Sequence, residues 1–408
     1  MKLHIFEALA AYKKSRPARF HMPGHKANRR GFPLLKDAAL DVTELSFSDS
    51  LECPNGIIAS AQEDIAGILG AKYSYILTDG ATAGVYAMLY AVRRQGGKVA
   101  IARSSHKSVY NACALLGVEP YILQNNERDG VLLPPGPADV EAALAREPRI
   151  TAVLLTSPDY YGNTADLAAV RKVCDRYGRL LLVDGAHGAY LKFDPDLAAE
   201  YAGGYADMWV DGSHKTMPTL TQGALLNVSD ERLRRSAEEG LDLFRTTSPS
   251  YLVMASVEYG VKYFAERGAA LTDAVKRELA FVRARLSKRG LSCYEGSKTL
   301  VLAVDFGGAG IAPKAAYEAL ERRGVYAELY DGRYVLFYLS PLTTAGDIAR
   351  MERAVRAVAR TKALRGSYAA AAELPPPGER KFSFLAASAM PYEELPPLQA
   401  VGRVCARN

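Results

Sequence analysis

The sequence predicts an α/β protein, a large domain on a mostly parallel sheet followed by a small C-terminal α+β domain. Three observations carry this. From about residue 60 to 230, short apolar runs alternate with amphipathic stretches, the pattern of strands joined by helices. Five of those runs end in polar, turn-forming motifs. Beyond residue 250 the alternation gives way to long helical stretches and two further apolar runs. A chain of 408 residues has room for both units.

Residues 1–55 have little periodicity after Lys14 and read as an N-terminal arm laid over something else. Residues 56–265 form the large domain, with candidate strands at 73–77, 99–102, 152–155, 180–183 and 207–210. Helical periods lie between them. In 166–177, for example, Leu167, Val170, Val173 and Cys174 share one face, and Arg171, Lys172 and Asp175 the other. The motifs after the strands are TDGAT at 78–82, SSHKS at 104–108, TSPDYYG at 156–162, DGAHGAY at 184–190 and DGSHK at 211–215. Ligands of open α/β sheets bind beyond the carboxyl ends of the strands, so these motifs should converge on one pocket. Residues 266–408 make the small domain. Helical stretches at 250–266 and 270–288 lead to apolar runs at 300–306 and 334–339 and a helix around 344–358, and ELPPPGER at 373–380 reads as a proline-rich linker.

Composition excludes several classes. Apolar residues at 49% and charged residues at 24% fit a folded globular chain and not a disordered one. The net charge of +6 is spread along the length, so nucleic acid is not indicated. Five scattered cysteines suggest neither a disulfide framework nor a zinc site, and a reducing cytoplasm fits them best. No run reaches the ~18 apolar residues of a membrane span. Glu7 interrupts what would be a signal peptide's apolar region, so the start reads as no targeting segment.

Of six histidines, His106, His187 and His214 stand inside strand-end motifs, and His21 and His25 lie in RFHMPGHK. A lone histidine is more often a hydrogen-bonded core or surface residue, but three at the mouth of one sheet point to a site. Lys215, directly after a strand, is placed where poor solvation lowers an amine's pKa and frees it as a nucleophile; an ordinary loop lysine would read the same way. Asp184 closes the apolar run LLLVD. A buried carboxylate needs a cation, which a protonated pyridine nitrogen supplies, although a capping aspartate is equally compatible. In TDGATAG, small residues at a helix start let backbone N–H groups approach an anion, and Thr82 adds a hydroxyl. GSHKT lacks the ending of a P-loop, and no G-x-G-x-x-G follows the first strand.

A phosphate cradle, an aspartate at a strand end and a lysine some thirty residues later resemble fold-type-I enzymes that use pyridoxal 5′-phosphate (PLP). RFHMPGHK, DVTEL at 41–45, SSHKS, TSPDYYG, DGAHGAY, DGSHKT and TTSPSY at 246–251, in that order, resemble the Orn/Lys/Arg decarboxylase family in a compact form without an N-terminal wing domain. The resemblance runs from about residue 16 to 260. It implies an aminotransferase-like large domain with a mostly parallel seven-stranded sheet. It implies PLP as cofactor, with Lys215 as the Schiff-base lysine, Asp184 on the pyridine nitrogen and His106 stacked on the ring. Gly80, Ala81, Thr82, Ser213 and His214 would surround the phosphate, and His187 would lie beside the ring. The activity implied is decarboxylation of arginine, lysine or ornithine to carbon dioxide and a polyamine-type amine, with His106 or a neighbour positioning or protonating the carbanion left behind. A cytoplasmic homodimer is implied, its site completed across the interface by the arm containing His21 and His25. No metal is called for.

The chain departs from the family's pattern at Gly185 and Tyr190, where Glu and His are usual, at Ser50, Glu52 and Cys53, and at Asp159. It also stops where relatives continue into a further C-terminal unit. These changes fall on the substrate side and the assembly. A basic substrate needs a carboxylate for its distal cation, and Glu44, Asp49, Glu52, Asp159 and Glu328 are the candidates. The alternatives are a PLP transaminase or aldolase, a metal-dependent hydrolase using His106, Asp184, His187 and His214, and a non-catalytic binding relative.

Overall fold

The computed structural model describes residues 1–19, 21–23, 25–27, 37–361, 364, 382, 384–396 and 399. Seven strands form the large sheet: β1 (Tyr73–Leu77), β2 (Lys98–Ala102), β3 (Pro120–Leu123), β4 (Ile150–Thr156), β5 (Leu180–Gly185), β6 (Met208–Asp211) and β7 (Ala224–Val228). Their order is β1-β7-β6-β5-β4-β2-β3, and only β7 runs antiparallel to its neighbours. The central strands are apolar on both faces because helices cover both sides. The sequence reading located five of the seven. It passed over β3, a four-residue edge strand that opens on a proline.

Helices run from several strand ends in this sheet. α1 (Gly80–Arg94) starts directly after β1, and α2 (Lys107–Leu116) directly after β2 with His106 as its N-cap. The two helical stretches expected at 250–266 and 270–288 are one helix, α3 (Tyr251–Ser287), 37 residues long. Gly268 lies inside it without ending it: a Cβ there would come within 2.8 Å of Phe193 Cβ, so the glycine marks close packing and not a break. Beyond α3, β8 (Val301–Asp305), β9 (Leu329–Tyr330) and β10 (Tyr334–Tyr338) form a three-stranded sheet. Ala345–Ala359 is helical, capped by Thr344. The linker expected at 373–380 lies outside the described residues.

The two sheets share packing. A hairpin of the large domain, Glu127–Arg128 paired with Val131–Leu132, buries Val131 among Tyr294, Val301, Ala303, Tyr334 and Leu336. Its tip carbonyl, on Asp129, accepts from Tyr334 Oη at 3.0 Å and Arg333 Nη1 at 3.1 Å. Tyr338 Oη donates to the Tyr160 carbonyl and Tyr161 Oη to Asp331. Tyr190, one of the departures noted above, is buried with its hydroxyl accepting from Leu300 N at 3.2 Å, which makes it a tie between the sheets.

The N-terminal segment finds much of its burial within its own chain. His4–Lys14 is helical, and its first N–H groups, on His4 and Ile5, donate to the fully buried carboxylate of Glu258 at 2.6 and 3.0 Å. Tyr12 stacks on Phe47 and contacts His21, and His25 lies 3.1 Å from Asp41. Among the described residues no helix is long and apolar enough to cross a membrane.

Candidate active site

The motifs after β1, β2, β4, β5 and β6 converge on one cavity of about 560 Å³. Lys215 and Asp184 both line it, with Gly80, Ala81, Thr82, His106, His187 and His214. Each is placed by a strand end. Asp184 is the fifth residue of β5, and Lys215 sits in the single turn 213–216 that follows β6.

Asp184 is 3% exposed, and among the described residues its carboxylate accepts one hydrogen bond, from Ala186 N at 3.2 Å. No cation lies within ion-pair distance among the described residues. Burial pushes its carboxyl pKa up, against the pull of Lys215 and His106. Lys215 Nζ lies 2.9 Å from His187 Nε2 and 5.9 Å from the centre of the Tyr160 ring. Burial lowers the Lys215 ammonium's pKa, with Asp184 and then Glu328 acting in the opposite sense. His187, buried beside this amine, is driven down to about 3, by burial first and Lys215 second. It is therefore neutral, accepts at Nε2 and carries its proton on Nδ1, which has no partner among the described residues.

His106 accepts from Ser108 N at 3.2 Å through Nδ1, which leaves Nε2 to carry the proton of the neutral ring. Burial lowers its pKa, and Asp184 opposes that. His214 reaches Gly223 O through Nδ1 at 3.0 Å, so only part of its ring is available to the cavity. Ser213 is fully buried, does not line the cavity, and its Oγ has no hydrogen-bond partner among the described residues. Gly185 is required where it stands, since a Cβ would meet Val210 O at 2.9 Å.

These residues fit PLP. A buried carboxylate with no cation faces a cavity, as the site of a pyridinium N–H requires. The start of α1, with small residues at 80 and 81 and Thr82 beside them on the cavity, offers donors for a phosphate. A desolvated amine stands on the same cavity. By contrast, no three His, Cys, Asp or Glu side chains gather to hold a metal among the described residues, so the alternative set of His106, Asp184, His187 and His214 forms no ligand cluster.

Two of the acids considered for a substrate cation are occupied elsewhere. Asp49 accepts from the backbone N–H groups of Ser50, Asn55, Gly56 and Ile58, which ties down the start of the helix Ile57–Leu69. Asp159 accepts from Tyr161 N, Asn163 N and Asn163 Nδ2 at 2.8–2.9 Å, pinning its own loop. Glu44 is bonded by Thr43, and Glu52 lines a different cavity. Glu328 is exposed, and its charge acts on Lys215, Tyr160 and Tyr338. The sequence reading missed Tyr160, whose ring centre is 4.7 Å from that of His187, and Tyr338, at 5.2 Å. It also missed Gly130, Val131 and Leu132, which line the cavity from the hairpin. Tyr160 was legible inside TSPDYYG; Tyr338 and the hairpin carry no local signal.

A family model described as Orn/Lys/Arg decarboxylase, major domain, matches residues 4–299. An uncharacterized protein, YaaO of Bacillus subtilis, is 33% identical over 275 residues, 64% of this chain and 57% of that one. An arginine decarboxylase of Bacillus cereus is 28% identical over 371 residues, 84% of this chain and 78% of the relative. Among solved structures, lysine decarboxylase A from Pseudomonas aeruginosa superposes with a TM-score of 0.76 at 17% identity, covering 87% of this chain and 59% of that one. The constitutive lysine decarboxylase of Escherichia coli gives 0.73 at 21%, covering 88% and 61%. The chain thus spans little more than half the length of several of the proteins it matches. Serine palmitoyltransferase of Sphingomonas wittichii, at 0.61, shares the same fold. With the family model matching well over half the chain and the strand-end motifs gathered on one cavity, this protein belongs to the Orn/Lys/Arg decarboxylase family.

Proposed function

We propose that the protein is a PLP-dependent decarboxylase of a basic amino acid, arginine, lysine or ornithine, that releases carbon dioxide and the corresponding amine. The observation that carries this reading is that the Lys215 amine and the Asp184 carboxylate line one cavity. When bound, PLP supplies an electron sink for the pair released as the bond from Cα to the carboxylate breaks. Asp184 would keep the pyridine nitrogen protonated, with His106 over the ring. Gly80, Ala81, Thr82, Ser213 and His214 would hold the phosphate. Burial lowers the pKa of the Lys215 ammonium, which favours the neutral, nucleophilic amine. Neutral His187 accepts a hydrogen bond from Nζ and orients the amine without adding a second positive charge.

Glu328 is the acid we assign to the substrate's distal cation, because Asp49 and Asp159 already bond neighbouring backbone groups. The reading also includes a cytoplasmic homodimer, with the exposed stretch 246–248 and Leu243 at its interface. The test is amine release from arginine, lysine and ornithine by PLP-loaded protein. Borohydride should fix the cofactor onto Lys215, located by peptide mass. A keto acid or aldehyde as product, or a colourless protein unchanged by added PLP, would refute the assignment.

A further inference from the structure

Among the residues that line the cavity of Lys215, Thr156 Oγ1 and His187 Nδ1 are buried side-chain atoms without a hydrogen-bond partner among the described residues. Thr156 is the last residue of β4 and the register partner of Asp184 on β5. In this parallel pair the two side chains stand on the same face of the sheet, on backbones ~5 Å apart. The hydroxyl nevertheless makes no bond to that carboxylate, which accepts from Ala186 N instead. An unpaired buried hydroxyl is costly, and its place on a cavity wall marks it for a group that the cavity takes up.

The strand order says which group. Asp184 on β5 lies between β6 and β4. The start of α1 and the turn with His214, the side proposed for the phosphate, follow β1 and β6, which lie to one side of β5; Thr156 lies to the other. The pyridine ring of PLP carries its phosphate arm on one edge and the phenolic O3′ on the opposite edge, with the aldehyde between them and the nitrogen across the ring. With the nitrogen on Asp184 and the phosphate arm toward β6 and β1, the O3′ edge falls toward β4. O3′ is also the polar atom of the cofactor that Asp184, Lys215 and the phosphate side leave without a partner. His187 is the less suitable donor to it. That ring turns Nε2 to Lys215 Nζ at 2.9 Å, so Nδ1 faces away from the amine, whereas O3′ is borne by the ring carbon next to the one that carries the aldehyde.

We propose that Thr156 is a further cofactor-binding residue, its hydroxyl donating to the O3′ oxygen of PLP. The inference rests on the PLP reading of this cavity and deepens it by giving the end of β4 a chemical part. A donor at O3′ stabilises negative charge there, and so lowers the pH at which the bound cofactor gives up its proton.

Absorbance titration of the cofactor-free chain with PLP and with 3-deoxypyridoxal 5′-phosphate, which lacks O3′, tests this. Thr156→Val keeps the shape of the side chain and removes the hydroxyl. It should weaken PLP binding about tenfold, the scale of one hydrogen bond to a charged group, and leave the affinity for the analogue unchanged. In the PLP-loaded variant the pH midpoint of the visible band should rise by about half a unit or more, and Thr156→Ser should restore both properties. Without cofactor, Thr156→Val should melt no lower than the parent, since a methyl group replaces an unpaired hydroxyl. A comparison on the unaltered chain holds even if the variant does not fold: there the analogue should bind about tenfold or more weaker than PLP. Unchanged PLP affinity in Thr156→Val, an equal loss of both ligands, an unmoved band midpoint, or equal binding of PLP and analogue by the unaltered chain would overturn the assignment of Thr156 while borohydride still fixed PLP onto Lys215. An unaltered chain that takes up no PLP would overturn the PLP reading and this inference with it.

Discussion

Lys215, Asp184 and His187 each have an environment that suits chemistry more than stability. Asp184 is a buried carboxylate with one hydrogen bond. Asp184→Asn should therefore leave the cofactor-free protein as stable as the parent or slightly more so, because removing an unpaired buried charge relieves a desolvation cost. The same change should lower amine release by orders of magnitude; a clear loss of melting temperature would instead mark Asp184 as structural. Lys215→Ala should cut turnover about a thousandfold or more, read as amine per enzyme. His187 titrates near 3 in the folded chain against an ordinary 6.5. Below about pH 6.5 the unfolded chain takes up a proton there and the folded chain does not. Its contribution to stability is thus complete above that pH and is lost as pH falls from 6.5 toward 3, a window worth up to about 4–5 kcal/mol. Urea midpoints of cofactor-free protein at pH 8 and pH 5 should show this loss, and His187→Gln should flatten it. Parallel pH slopes would contradict it.

At the scale of elements, the N-terminal helix His4–Lys14 is held by a charge network on α3. Lys262 Nζ lies 3.0 Å from Glu258 and 2.6 Å from Asp64, and Asp64 lies 3.0 Å from His4. Glu258 is fully buried, so Glu258→Ala leaves Lys262 and two helix N–H groups without it and should cost about 3–5 kcal/mol, seen as a lower urea midpoint and faster hydrogen exchange over residues 4–14. Gly268→Leu is a second test within α3. Leucine favours helix, yet its Cβ would press on Phe193, so the variant should be destabilised by about 1–3 kcal/mol. Five of the strands and the helix 167–177 were legible because their apolar period repeats over several residues. α3 was read as two helices because a mid-helix glycine signals a break in sequence, whereas here it answers a contact with a residue 75 positions away.

Across the whole molecule, the hairpin 127–132 couples the small sheet to the cavity. Arg333 joins Asp305, at 2.7 and 3.0 Å, to the carbonyl of Asp129, one residue from the cavity wall at Gly130. Asp305 is 3% exposed, so Arg333→Ala strands a buried carboxylate and should destabilise by about 3 kcal/mol. On the decarboxylase reading, the loosened wall should raise KM more than it lowers kcat; unchanged kinetics would mean that the hairpin takes no part in binding.

The sequence by itself determined the α/β class, the order of the strand-end motifs, and the residues proposed to hold an aldehyde cofactor. Each of these is written in a contiguous stretch where an apolar run stops and a polar group begins. Only the tertiary structure decided which acids are bonded to backbone groups near them and which aromatic ring faces the Lys215 amine. Those properties depend on what lies across a gap from each side chain. Such neighbours are set by the packing of distant segments, which leaves no period or spacing in the chain.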